Sequence, residues 1–245
     1  MPRNDLTFYD AQADQWWEQG AKIYALHQLN PLRFQYFDRH IKNWQELRIL
    51  DVGCGGGFTC EFLAARRAIV SGIDQSASCI ATATAHARQS NLAIAYQHGY
   101  SEALPYPNQS FDAVICVDVL EHVMNVSQTL REIERVLKPG GFFCFDTINR
   151  TLKSRMVMIG LLEYVLNEIP IGIHDWHKFI CPHDLIDTLT QLGFIDIDIS
   201  GFNLFGSTPL EMACAYWRYK KTGGFTLSLD RDTSVMYIGI ARKLS

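Results

Sequence analysis

Residues 48–64 read RILDVGCGGGFTCEFLA. An apolar run ends in an acid, Asp51, and is followed by Gly53, Cys54, Gly55, Gly56 and Gly57 before an apolar pattern resumes. Glycine loses more backbone freedom on folding than any other residue, so such a cluster implies a tight turn or a ligand lying against bare main chain. RILDV (48–52) predicts a buried strand and CEFLAARR (60–67) a helix. A turn between them presents outward N–H groups and the positive end of the helix dipole, the arrangement that holds anions and nucleotides. The dinucleotide fingerprint G-x-G-x-x-G fails at Phe58, whereas D-x-G-x-G-x-G fits Asp51, Gly53, Gly55 and Gly57. No Gly-Lys-Ser/Thr follows, which excludes a P-loop.

Working outward, AIVSGID (68–74) predicts a second strand ending in Asp74. It lies roughly 20 residues past the glycines, where a carboxylate meets the hydroxyls of a ribose. Helix SCIATATAHARQS, strand AIAYQHG, strand FDAVICV (111–117), helix VSQTLREIERVL and strand FFCFDTI continue the alternation. A helix HDLIDTLTQLGF and strands IDIDIS and SVMYIGIAR close the chain. Strands alternating with helices imply right-handed crossovers and a parallel sheet. The expected fold is therefore α/β: a doubly wound, mostly parallel sheet of seven strands within a single domain, 1–245. An N-terminal helical arm (1–45) precedes the core (46–148), a helical lid insertion (149–182) follows, and residues 183–245 complete the sheet.

The bulk properties narrow the function. The chain of 245 residues is 48% hydrophobic and 20% charged, as expected of a core-forming protein. A net charge of -4 with no basic run argues against a nucleic-acid partner. Seven cysteines without a C-x-x-C pair argue against a disulfide framework or a thiolate zinc site and suggest a reducing, cytoplasmic setting. The acidic, aromatic N-terminus does not read as a signal peptide. No apolar run approaches the roughly 18 residues of a membrane span.

LDVGCGGG, GID, LPYPNQSFDAVIC and LKPGG, in that order, resemble the class I S-adenosylmethionine (SAM)-dependent methyltransferases. HQLNPLRFQYF, VDVLEHV, DTINRTLKS, IPIGIHDWHKFICPHDL and VMYIGIARK narrow the resemblance to the ubiquinone-biosynthesis O-methyltransferases (3-demethylubiquinol 3-O-methyltransferase type). The resemblance implies SAM as the methyl donor and a phenolic, catechol-like or polyprenylated quinol acceptor. It places Arg33, Gly53, Asp74 and Val117 at the cofactor, with Gly55 and Gln75 beside them. Arg33 would clamp the methionine carboxylate bidentately. One departure is Tyr100, which stands where such enzymes often carry an acid; Ser101 and Glu102 are then candidates near the base. Residues 201–232 fit the resemblance less clearly and are a candidate specificity segment.

VDVLEHV puts Asp118, Glu121 and His122 within five positions, on one face if a helical turn starts there. Three readings stay open. In the resembled family the matching residues are proposed metal ligands, with Glu in place of Asp118, and a Mg²⁺ bound there would acidify a phenol whose reference pKa is near 10. Alternatively His122 is a general base oriented by Glu121, or the segment only caps a helix and lines the pocket. His174, Asp175 and His177 form a second polar cluster, serving either the acceptor or loop hydrogen bonding. The apolar stretch 153–173 suggests a lid, and also an amphipathic surface for peripheral membrane contact through Ile159, Leu162 and Val165. Trp16 and Trp17 anchor an interface or close over the cofactor or core. Rival readings are an NAD(P)-dependent oxidoreductase and a SAM-binding module without catalysis.

Overall fold

A computed structural model describes residues 4–204, 206, 208–222 and 226–245. Among the described residues, eight strands form one sheet in the order β3-β2-β1-β4-β5-β8-β6-β7. β1 (Arg48–Val52) pairs in parallel with β2 (Ile69–Asp74) and β4 (Phe111–Cys116), β2 with β3 (Ala95–His98), and β4 with β5 (Leu137–Ile148). β8 (Met236–Lys243) runs antiparallel between β5 and β6 (Phe194–Asn203). The expected count of seven is corrected by β7 (Ser228–Asp230), which adds antiparallel to the edge of β6. Three half-buried residues carry too little apolar alternation to read as a strand.

The central strands are buried on both faces. Ile49, Leu50, Val114, Ile115 and Phe143 are fully enclosed, which explains why their sequences read as continuous apolar runs. α3 (Phe58–Ala64) follows β1, α4 (Ala77–Gln89) follows β2 with Ser76 as its N-cap, and α5 (Val126–Val136) precedes β5 with Asn125 as its N-cap. Strand β5 begins earlier than FFCFDTI suggests. Leu137 already pairs with Phe111, and the register shifts before Ala113 joins Phe142, so the KPGG sequence forms an irregular strand start. Gly140 takes φ +75° there.

The N-terminal arm comprises α1 (Thr7–Ala11), 3-10 turns at Ala13–Gln15 and Lys22–Leu29, and α2 (Asn30–Phe37). It does not stand away from the core. Ala13, Trp16 and Ile23 pack with Phe58 of α3 and Cys79 of α4. Asp5 N–H reaches the carbonyl of Gly172 in the insertion 149–182 at 3.1 Å.

The insertion begins with α6 (Leu152–Ser154), capped by Thr151, and continues as a π-helix over Arg155–Val165. Ile159 and Leu162 point inward and are 5% and 3% exposed, whereas Val165 is 68% exposed. The expected outward stripe of Ile159, Leu162 and Val165 is therefore split. The exposed apolar side chains here are Leu152, Met156, Tyr164 and Val165, because the wider π-helical turn shifts the face away from 3.6-residue spacing. In the less clear segment 201–232, α8 (Pro209–Thr222) was not expected from the sequence; residues 205, 207 and 223–225 lie outside the described residues. α7 (Pro182–Gln191) completes the layer over β6.

Candidate active site

A cavity of about 590 Å³ lies across the carboxyl ends of β1, β2 and β4, where the strand order reverses. Its floor is the glycine turn. Gly53, Gly55 and Gly57 take φ of +74°, +50° and +98°, a region open to glycine. A Cβ at Gly53 would come within 2.3 Å of Val119, and one at Gly55 or Gly56 within 2.4 Å or 2.2 Å of the Trp16 ring. The turn thus needs its glycines for two reasons: its own left-handed geometry, and the indole of the arm lying directly on bare backbone. Trp17 adds a bond from Nε1 to the Gly56 carbonyl at 2.9 Å. Closing over the turn is the role the structure gives both tryptophans.

Asp74 ends β2 with Oδ2 accepting the Gly55 N–H at 2.9 Å and Oδ1 accepting the Ser76 N–H at 2.8 Å. A carboxylate has about four lone-pair sites, so two remain for a vicinal diol. Asp10 of the arm accepts from Ser76 Oγ beside it. Asp51 is buried, accepts from Cys60 Sγ at 3.2 Å, and is pushed up to about 7 by desolvation. Trp16 lines the cavity, and its buried Nε1 has no hydrogen-bond partner among the described residues. Left-handed turn, free lone pairs on Asp74 and an orphaned donor together fit a nucleoside with a charged tail.

The other expected cofactor residues divide. Val117 lines the cavity at the end of β4. Gln75 lies exposed at its rim, its carbonyl bonded to His98 Nε2 at 3.0 Å. Glu102 is engaged elsewhere: Oε1 accepts the N–H groups of Met124 and Asn125 at 2.9 and 3.3 Å, tying down the loop before α5. Ser101 Oγ bonds Glu102 and Thr129. Both residues still line the cavity. Arg33 reaches the cavity from α2, but its guanidinium is held by two acids. Nε donates to Asp146 Oδ2 at 2.6 Å, and a terminal nitrogen donates to Asp118 Oδ2. Burial opposes the charge on Arg33, yet these acids hold its pKa above the ordinary value.

A second chamber, about 140 Å³, adjoins the first; Tyr9, Leu26, Asp118 and His122 line both. Its walls are mostly apolar: Ile23, Leu29, Met158, Leu162, Ile169 and Met236 come from the arm, the lid and β8. The segment 118–122 forms turns, not a helix, with Asp118 at φ +55°. The shared helical face of Asp118, Glu121 and His122 is therefore corrected. Thr147 Oγ1 donates to Glu121 Oε2 at 2.7 Å. Burial, with Asp118 nearby, pushes Glu121 up to about 8. Glu121 does not orient His122; Asn4 does. Asn4 Nδ2 donates to the His122 carbonyl and Asn4 Oδ1 meets His122 Nδ1, both at 2.9 Å. The amide orientation places the proton on Nδ1 and leaves Nε2 with a lone pair. Burial holds the His122 pKa well below its usual value, so the ring is neutral.

Among the described residues, no group of three or more His, Cys, Asp and Glu side chains is placed to hold a metal ion. Asp118 is engaged by Arg33, Glu121 by Thr147 and His122 by Asn4, so this donor set does not converge as the Mg²⁺ reading requires.

Of the second polar cluster, His174 stacks on His122 with centroids 5.5 Å apart and is bonded through Nδ1 to the fully buried Glu163 at 2.9 Å. Asp175 only caps the turn Trp176–Lys178. Asn4 and Tyr9 carried no local pattern. Glu163 and Asp146 did carry one, an acid inside an otherwise apolar element, which needs a partner when buried.

Comparison with known proteins bears on the whole chain. A methyltransferase domain model matches residues 50–145. The ubiquinone biosynthesis O-methyltransferase of Roseobacter denitrificans is 37% identical, with 96% of this chain and 93% of that protein covered. The enzyme of the same description from Coxiella burnetii is 38% identical over 97% of this chain and 94% of its own. Among solved structures, a SAM-dependent methyltransferase from Thermotoga maritima superposes with a TM-score of 0.65 at 16% identity, covering 98% of this chain and all (100%) of that one. One from Aquifex aeolicus gives 0.62 at 12% identity, covering 96% and 98%. At these identities the structural matches show the fold.

Proposed function

The chain belongs to the ubiquinone biosynthesis O-methyltransferase family of SAM-dependent methyltransferases, and from that premise we propose that it methylates a hydroxyl on a quinol-type phenol carrying an apolar substituent. The observation that carries this reading is the pair of joined chambers. A polar cradle suited to a nucleoside opens, past Asp118 and His122, into an apolar pocket under the lid.

When bound, SAM supplies an electrophilic methyl carbon on a sulfonium. The protein's part is to place a hydroxyl oxygen in line with it and take the proton. We assign His122 as the general base. Its Nε2 lone pair is fixed by the Asn4 contact, and the ring lines both chambers. As the oxygen–methyl bond forms and the carbon–sulfur bond breaks, the hydroxyl proton passes to Nε2. Glu121 lines the acceptor chamber in its protonated form near neutrality and can donate a hydrogen bond to a second ring oxygen. Tyr9, Leu26 and the lid exclude water. The cofactor side is assigned to Gly53, Gly55, Asp74 and Val117, with Ser101, Glu102 and Gln75 at the base end. Arg33 acts from within its ion-paired cluster. No step is routed through a metal.

Two further assignments extend the reading. No helix among the described residues is long and apolar enough to cross a membrane. Leu152, Met156, Tyr164 and Val165 on the lid and Leu210 and Trp217 on α8 are exposed large apolar groups. With Lys153 and Arg155 beside them, they suit peripheral contact with a bilayer holding a lipid-tailed acceptor, from a cytoplasmic location.

The test is transfer of labelled methyl from SAM to a panel of acceptors: an ortho-diphenol, a monophenol, an aliphatic amine and a thiol. The reading predicts label on phenolic oxygen of the diphenol. Label on nitrogen or sulfur alone would replace the acceptor assignment, and no consumption of SAM with any of them would support a binding module instead.

A further inference from the structure

We infer that Asp146 determines how strongly the site prefers SAM over its product, S-adenosylhomocysteine, by setting the net charge at the methionine end. The inference rests on the SAM assignment above. Asp146 lies on β5 with its side chain wholly buried. Its Oδ2 accepts from Arg33 Nε at 2.6 Å and its Oδ1 from the backbone N–H of Asp118 at 2.8 Å. Asp118 bonds the same guanidinium through a terminal nitrogen. Arg33 and Asp118 form part of the cofactor cavity wall, and Asp146 stands behind them.

One guanidinium thus faces two carboxylates. Burial raises the Asp146 pKa and the neighbouring Arg33 opposes the rise; on the alkaline side of neutrality, with both its oxygens accepting N–H donors and a permanently charged group beside it, Asp146 is the anion. The cluster carries one net negative charge. A lone guanidinium in its place would present a positive charge to the cofactor. SAM has a zwitterionic methionine and a sulfonium, hence one net positive charge. S-adenosylhomocysteine has lost the sulfonium and is neutral. The cluster therefore attracts SAM and releases its hold when the methyl leaves. At an effective dielectric near 20 and a separation of roughly 10 Å, one unit charge changes a cation's affinity about tenfold. Shape and hydrogen bonds, by contrast, act on both ligands alike.

The test is calorimetric titration of the full chain with SAM and separately with S-adenosylhomocysteine, at one pH above neutrality. Asp146→Asn keeps size and most bonds but removes the charge; the ratio of the two affinities should move about tenfold toward S-adenosylhomocysteine. Arg33→Met should weaken both ligands yet move the ratio the other way, toward SAM. Loss of packing alone would lower both affinities without moving the ratio. A folded Asp146→Asn protein whose ratio stays at the wild-type value would overturn the inference. Should that variant not fold, Asp118→Asn at the cavity wall removes a charge from the same cluster and must shift the ratio the same way; an unmoved ratio there is equally fatal. Wild-type protein binding neither ligand would overturn the SAM assignment together with this inference.

Discussion

Gly56 isolates the contact between arm and glycine turn from backbone strain. Unlike its neighbours it has no positive φ, yet a Cβ there would lie 2.2 Å from Trp16 Cγ. Gly56→Ala should displace the indole and weaken cofactor binding, at a cost in the range of about 1–3 kcal/mol for overpacking. Adding Trp16→Ala should make the alanine nearly harmless, a coupling that a double-mutant cycle on SAM affinity measures. Additive losses would show that the indole does not rest on the turn. Asp51 gives a pH signature. Its folded pKa is about 7 and its unfolded value about 3.9, so across that window the folded chain binds the extra proton. Stability then falls as pH rises from about 4 to about 7 and is level above. Against wild type, Asp51→Asn should gain melting temperature across this window, because the other titrating groups cancel in the comparison. Parallel melting curves would place Asp51 outside the account.

The segment proposed as a lid joins the apolar chamber and the surface through opposite faces of one helix. Leu162 is 3% exposed and lines the acceptor chamber, whereas Met156 and Val165 are 67% and 68% exposed. Leu162→Ala should therefore lower stability by about 2–5 kcal/mol, the usual range for truncating a buried leucine, read by denaturant unfolding. Met156→Glu with Val165→Asp should leave the melting temperature within a degree or two, as expected for surface changes, and reduce co-sedimentation with anionic vesicles. Equal sedimentation of the doubly substituted protein would reject the membrane face. The sequence showed this element as apolar but not which way it faced, because periodicity locates a face only when the helix is α, and this one is π-helical from Arg155 to Val165. The β1 strand, by contrast, was legible to the residue, since its buried run Ile49–Val52 ends where the glycine turn begins. β7 was illegible for the opposite reason: three half-buried residues gain their strand character from β6, not from their own pattern.

At the scale of the molecule, the order β3-β2-β1-β4 brings the carboxyl ends of β1, β2 and β4 to one crevice, which the N-terminal arm also lines. The glycine turn and Asp74 were readable because their chemistry is local, fixed by backbone within about 20 residues. The acceptor side was only partly readable. Asp118, Glu121 and His122 are neighbours in the chain and line the joined chambers, but their partners come from Asn4, Arg33, Asp146 and Thr147, up to 118 positions away. No spacing rule reaches that far. Their dispersal from a metal-like cluster into three separate pairs is a property of the folded whole.

The crystal structure of the protein grown with S-adenosylhomocysteine tests the central claim most directly. The account predicts the nucleoside beside the glycine turn at Gly53, its two sugar hydroxyls on Asp74 and the Trp16 indole, resting on Gly55 and Gly56, walling its edge. A crevice without the ligand, or the ligand bound away from Asp74 and the glycine turn, would contradict it.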